Sequence, residues 1–301
     1  MHVNAESVEI GELYRREPLP LERNEDAMSL RTILLHAMPG DTHNEKRAEA
    51  AIGLCAASGA HLTAVWTVPP IAIPTYAAVP MPPEIFDQYY ADAEADGAAV
   101  QAKLMTRADA AGVTAEWHFV RGYPREILSR HARYCDLVVA GQPSPNEDEF
   151  GGTEGLLGDL AIGAGRPILA IPHAGARTSL GKRILLSWND SREAARAAHD
   201  ALPLLRAADL VTVLVVNTED DLASAEEIST HLARHGVTVE AKTESVSGLD
   251  VGDAVLNAAS DLSCDLLVMG AYGHSRLREF AFGGVTRHII EHMTVPTLLS
   301  H

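Results

Sequence analysis

The sequence predicts an α/β protein built from two tandem doubly wound parallel sheets, and three observations predict it. Short apolar runs alternate with amphipathic stretches along the chain, as strands do when helices bury them on both faces. The hydrophobic fraction is 47% but aromatics are only 5%, which suits helices packed on parallel strands better than an aromatic-rich sandwich or barrel. The chain also repeats itself. Ile33-Leu34-Leu35-His36 answers Ile184-Leu185-Leu186-Ser187, Cys135-Asp136-Leu137-Val138-Val139-Ala140-Gly141 answers Cys264-Asp265-Leu266-Leu267-Val268-Met269-Gly270, and Pro167-Ile168-Leu169-Ala170 answers Pro296-Thr297-Leu298-Leu299. The order is the same in both halves, and 32 residues separate Cys135 from Pro167 and Cys264 from Pro296.

Residues 1–29 are mixed in charge and lack the apolar core of a secretory signal, so they read as an extension ahead of the fold. Residues 30–175 read as the first unit. Its first strand leads to Thr42 and Glu45, spaced as a capping box, and Ala48, Ile52 and Cys55 then form one helical stripe. The segment Val68–Phe86 carries prolines that exclude helix and strand interiors, and reads as a stiffened loop that either covers a ligand or packs on its own domain or a partner.

Residues 182–301 read as the second unit, with strands Arg183–Trp188, Leu210–Val216, Val237–Lys242, Asp265–Met269 and Thr294–Leu299. Asp190 precedes Glu193 as in a capping box, and Ala194, Ala198, Leu202 and Leu205 share a stripe. Asp250 caps the third helix of this unit, and Val285 with Ile289 marks the inner face of the fourth. Alternating units with right-handed crossovers make a parallel sheet, whose ligands bind beyond the carboxyl ends of the strands, where strand order reverses.

A net charge of -17, from 41 acidic and 24 basic residues, opposes binding to a nucleic-acid backbone. Cys55, Cys135 and Cys264 show no paired spacing, which suits a reducing, cytoplasmic setting. No apolar stretch approaches the ~18 residues of a membrane span. His231 with His235, and His288 with His292, have metal-ligand spacing but no third ligand at a recognisable distance, and read as surface histidines. No catalytic constellation is recognisable: there is no Gly-x-Ser-x-Gly elbow and no His-Glu-x-x-His.

After the fourth strand of the second unit, Gly270 and Gly273 flank a tight turn, nine residues follow, and Gly283-Gly284 opens a helix at Val285. Glycines let backbone amides approach an anion closely, and a helix N-terminus adds unpaired N–H groups. Arg276, Arg278 and Arg287 add positive charge. This pattern, Gly270-x2-Gly273-x9-Gly283 after a strand and before a helix, resembles the signature loop of the universal stress protein family, and the segments ILLSWNDSREAARAAHDAL and GGVTRHIIEHMTVPTLL resemble that family's first and last elements. Both halves share the likeness, which therefore points to tandem members. It implies strand order 3-2-1-4-5 in each half, pairing through the last strands as an intrachain pseudo-dimer, and ATP or AMP, with or without Mg, between the ends of the first and fourth strands.

Carried onto this chain, the resemblance implies a nucleotide site formed by Asn189, Asp190, Val215, Met269, Gly270, Gly273, His274, Gly283, Gly284, Val285 and Thr286. Two positions depart from the family: Gly284 stands where a Ser or Thr is usual, and Asn189 stands where the first strand usually ends in an acid. In the first unit Gly141, Ser144, Glu154 and Gly155 fall under Gly270, Gly273, Gly283 and Gly284. Two glycines are lost there, and Glu147, Asp148, Glu149 and Glu154 replace a loop with three arginines and one glutamate. Like charges in a partly desolvated pocket repel, so one site is expected. The expectation is a stress-associated regulatory protein that binds adenine nucleotide in its second unit and offers a platform to a protein partner, with a homodimer left open. The alternatives are a nucleotide-free interaction module and a slow ATP hydrolase of a related fold.

Overall fold

The computed structural model describes residues 30–41, 43–71, 82–142, 155–173, 180–216, 222–245, 250–272 and 284–301. The first half contributes β1 (Thr32–Ala37), α1 (Asn44–Ser58), β2 (His61–Val68), α2 (Pro83–Ala110), β3 (Ala115–Arg121), α3 (Pro124–Ala132), β4 (Leu137–Gly141), α4 (Leu156–Gly163) and β5 (Ile168–Ile171). The second contributes β6 (Arg183–Ser187), α5 (Arg192–Asp200), α6 (Leu202–Ala207), β7 (Leu210–Val216), α7 (Leu222–Arg234), β8 (Val239–Glu244), α8 (Val251–Asp261), β9 (Leu266–Gly270), α9 (Val285–His292) and β10 (Thr297–Ser300). Pro203 breaks the stripe of Ala194, Ala198, Leu202 and Leu205 into α5 and α6, and all four side chains are buried.

The sheet order is β3-β2-β1-β4-β5-β10-β9-β6-β7-β8. Each half keeps the order 3-2-1-4-5 with parallel pairs, and the halves join where β5 meets β10 antiparallel, with Leu169 opposite Leu298. The two five-stranded sheets are thus one ten-stranded sheet. Its two faces carry separate apolar cores that both cross the seam: α1, α2, α5, α6 and α7 pack on one face, α3, α4, α8 and α9 on the other.

The repeated Cys-Asp pair has a mechanical role. The Asp136 carboxylate accepts hydrogen bonds from the Arg31 and Thr32 amides at 2.8 and 2.9 Å, and Asp265 accepts from the Lys182 and Arg183 amides at 2.9 and 3.0 Å. Each aspartate pins the start of a first strand to the start of a fourth, satisfying amides that precede the ladder. All three cysteines are buried thiols outside any disulfide, and burial pushes the Cys55 and Cys135 thiols up to about 12.

Several local expectations change. Thr42 lies outside the described residues; His43 is the N-cap of α1 and makes no side-chain capping bond, and Glu45 instead pairs on the surface with Lys103 and Arg107. Ser191, not Asp190, caps α5, because its hydroxyl reaches the Ala194 amide at 3.1 Å while Asp190 takes a positive φ of 54° in the preceding turn. Asp250 caps α8 as expected, accepting from Gly252 at 2.7 Å. The C-terminal end of the Val68–Phe86 segment is helical, since Pro83 sits in the first turn of α2, where its missing N–H costs nothing. The edge strand β8 begins at Val239 and is only partly buried, unlike the interior strands, and β10 begins at Thr297, after Pro296.

Candidate functional site

The switch point of the second half lies between the ends of β6 and β9. Ser187 pairs with Leu214 of β7 on one side and Met269 of β9 on the other. Beyond it the Trp188 amide still donates to the Leu214 carbonyl at 2.9 Å, and its indole N–H donates to Ser224 Oγ at 2.7 Å. The chain then turns outward through Asn189 and Asp190, both exposed. The Ala194 amide donates to Ser191 Oγ, and the Ser191 hydroxyl donates to Asn189 Oδ1 at 2.7 Å. Asn189 is thereby fixed by its oxygen, and among the described residues nothing engages its amide nitrogen.

Gly270 ends β9 beneath the first turn of α5. A Cβ at this position would lie 2.6 Å from both the Ala194 nitrogen and the Glu193 carbonyl carbon, so glycine is required by backbone packing. Glu193 is buried beside it. Burial raises its carboxyl, but the Arg192 guanidinium and a backbone hydrogen bond outweigh this and hold it below the ordinary value. The Ala271 amide donates to the Ser300 carbonyl at 2.7 Å, and the Tyr272 amide donates to Thr286 Oγ1 at 3.1 Å.

Gly273, His274 and Gly283 lie outside the described residues, as do Arg276 and Arg278. Gly284 is the N-cap of α9 in an extended conformation, and among the described residues no side chain caps that helix. Val285 is half-buried and Thr286 is buried, its hydroxyl taken by the Tyr272 amide. Arg287 reaches along α9 to Glu291, Nε to Oε1 2.6 Å. Val215 and Met269 are buried at the ends of their strands. The structure therefore brings Asn189, Asp190, Val215, Met269, Gly270, Gly284, Val285 and Thr286 to the strand-end side of one sheet. Of the paired histidines, His231 and His235 meet edge to face, while His288 pairs with Asp253 at 2.8 Å.

The first half fills the matching place with its own side chains, which reasoning from the loop alone missed. Gly141 matches Gly270, and a Cβ on it would run into the guanidinium of Arg47. Arg47 is 3% exposed and forms an ion pair with Asp41, itself 8% exposed. Asn44 Oδ1 accepts from Arg47 at 2.5 Å, and the Asn44 amide group bonds the Met38 carbonyl at 2.8 Å. Burial alone pushes the Asp41 carboxyl up, yet Arg47 and the His43 amide outweigh it and leave it below the ordinary value. Deeper in, His36 meets Thr67 Oγ1 at 2.8 Å. Its burial, reinforced by Arg47, lowers it to about 3, so this imidazole is neutral. The signal in the sequence was Arg47, a charge set beside an apolar stripe on α1 and three residues after Asn44.

A doubly wound α/β sheet built twice, with one strand-end crevice filled by side chains and a glycine-bearing connection at the other, defines the class of protein. Residues 181–301 match the model of the Universal stress protein family. The fold is similar to that of a universal stress protein from Archaeoglobus fulgidus DSM 4304, at 18% identity, covering 89% of this chain and 95% of that one with a TM-score of 0.70. It is also similar to a functionally unknown protein from Pseudomonas aeruginosa PAO1, at 14% identity, 91% and 93% coverage and a TM-score of 0.60. A universal stress protein in complex with cAMP matches 48% of this chain and 98% of its own length, at 20% identity and a TM-score of 0.35. No curated protein matches. Among the described residues, no helix is long and apolar enough to cross a membrane.

Proposed function

We propose that the chain is a stress-associated regulatory protein that binds one adenine nucleotide, ATP or AMP, at the strand ends of its second half, and that residues 30–175 and 182–301 are its two domains. The observation that carries this reading is the connection from β9 to α9. Its glycines Gly270, Gly273, Gly283 and Gly284 follow the family's loop pattern, and it begins and ends at the switch point, with Tyr272 bonded to Thr286. The N-terminus of α9 points its dipole where a phosphate would sit, and in this reading Asn189 meets a ribose or adenine edge. Gly284 keeps the amide of the usual Ser or Thr while removing its hydroxyl.

In this reading the first domain binds no nucleotide, because Arg47, Asp41 and His36 occupy the corresponding crevice. It serves instead as the rigid half of a platform for a protein partner. Equilibrium binding of labelled ATP to the full chain and to a Gly273→Asp variant tests the proposal. Saturable binding that the variant loses is the expected result. Turnover of ATP would favour the hydrolase alternative, and absence of binding would leave a nucleotide-free interaction module.

A further inference from the structure

Beyond the site itself, and resting on the reading of the second half as the nucleotide domain, we propose that Gly158 and Tyr272 are positioning residues through which the first half sets nucleotide affinity in the second. Tyr272 is the last described residue before the glycine-bearing connection, and Thr286 stands near the start of α9 on its far side. The Tyr272 amide donates to Thr286 Oγ1 at 3.1 Å, so the two ends of the connection are tied to each other. The Tyr272 side chain does not stay in its own half. It packs against α4, the helix that precedes β5 across the seam, with the phenol directly over Gly158.

Gly158 is unusual where it stands. A glycine inside a helix costs ~1 kcal/mol relative to alanine, and Gly158 takes no left-handed φ that would demand glycine. What it provides is room. A Cβ at 158 would collide with the Tyr272 phenol oxygen and lie 3.2 Å from ring carbon Cζ and 3.5 Å from Cε2. Tyr272 meanwhile holds a φ of 55°, which a non-glycine residue keeps only when its surroundings enforce it. The docked ring and the Thr286 bond are two such restraints. The position of the loop's two ends therefore depends on a helix of the first half, although that half's own crevice is filled. A shift of the phenol would move the Tyr272 amide and loosen its bond to Thr286.

The test adds one methyl group. Gly158→Ala favours the helix intrinsically but pushes the phenol away, whereas Gly163→Ala places the same methyl on α4 where nothing lies within 4 Å. ATP affinity of the full chain is expected to fall about 5-fold or more in Gly158→Ala, the lower end of typical coupling between sites, and to hold in Gly163→Ala. Adding Tyr272→Phe to Gly158→Ala removes the colliding oxygen and is expected to restore affinity. Hydrogen exchange at the Tyr272 amide should quicken and recover in step. Unchanged affinity in Gly158→Ala, or a loss that Tyr272→Phe does not rescue, overturns the inference while leaving the nucleotide site in place. Failure of the wild-type chain to bind ATP overturns the site and this coupling together.

Discussion

At Gly141 the first half lays the Arg47 guanidinium over the end of β4; at Gly270 the second half lays the backbone of α5 over the end of β9. The two glycines occupy equivalent places in a repeated fold, yet one supports a side chain and the other a helix. Where a side chain fills the crevice, Asp41 must be buried to match its charge, and the turn around Met38 and Asn44 closes over the pair. Where the backbone of α5 covers the strand end instead, the turn at Asn189 stays outside and exposed, and its side chain is held by Ser191. The first half thus differs from the second by more than the sequence of its loop. The space itself has become part of the fold.

The largest effect tests that closure. Arg47→Ala leaves Asp41 buried and unpaired, which should cost about 3–5 kcal/mol, read as a lower urea midpoint for the full chain. A loss below ~1 kcal/mol would mean that the pair is a surface decoration and the crevice is not filled in the way described. The glycines come next. Gly270→Ala should cost roughly 1–3 kcal/mol by overpacking, because the obstacle is backbone. Gly141→Ala also destabilises, but in an Arg47→Ala background it should add little, since the obstacle is gone. Additive losses in that double variant would break the comparison.

The smallest effect is absent at neutral pH. His36 has a folded value of about 3 against 6.5 ordinarily, so the unfolded chain takes up a proton that the folded chain refuses. Its contribution is fully present above about pH 6.5 and declines as pH falls from there toward about 3. Asp41, depressed below its ordinary 3.8, contributes above that value and loses its contribution as pH falls through its folded value. In a His36→Gln variant, thermal stability should depend less on pH between 6.5 and 4. An unchanged slope would show that other groups govern acid sensitivity.

The sequence made the sheet legible because the order of strands repeats with short, similar signals. The Cys-Asp repeat was visible as a pattern, and the structure supplies its reason in the amides that Asp136 and Asp265 hold. Other repeats were hidden by length. Thr63 donates to Glu116 and Thr212 to Glu240, both at 2.8 Å across the outermost strand pairs, but the partners are 53 residues apart in one half and 28 in the other. The long helix α2 destroys the fixed spacing on which recognition of the repeat depended. The glycine pattern near Gly270 could be read, whereas its packing against α5 could not. The filled crevice of Arg47, Asp41 and Asn44, and the seat of Tyr272 on Gly158, are long-range side-chain contacts that no local period encodes.

Calorimetric titration of the full chain with ATP measures the number of sites directly. The account predicts one equivalent per chain, unchanged in affinity by His36→Gln in the filled half. Two equivalents per chain, or a single equivalent that depends on His36 rather than on Gly273, would contradict it.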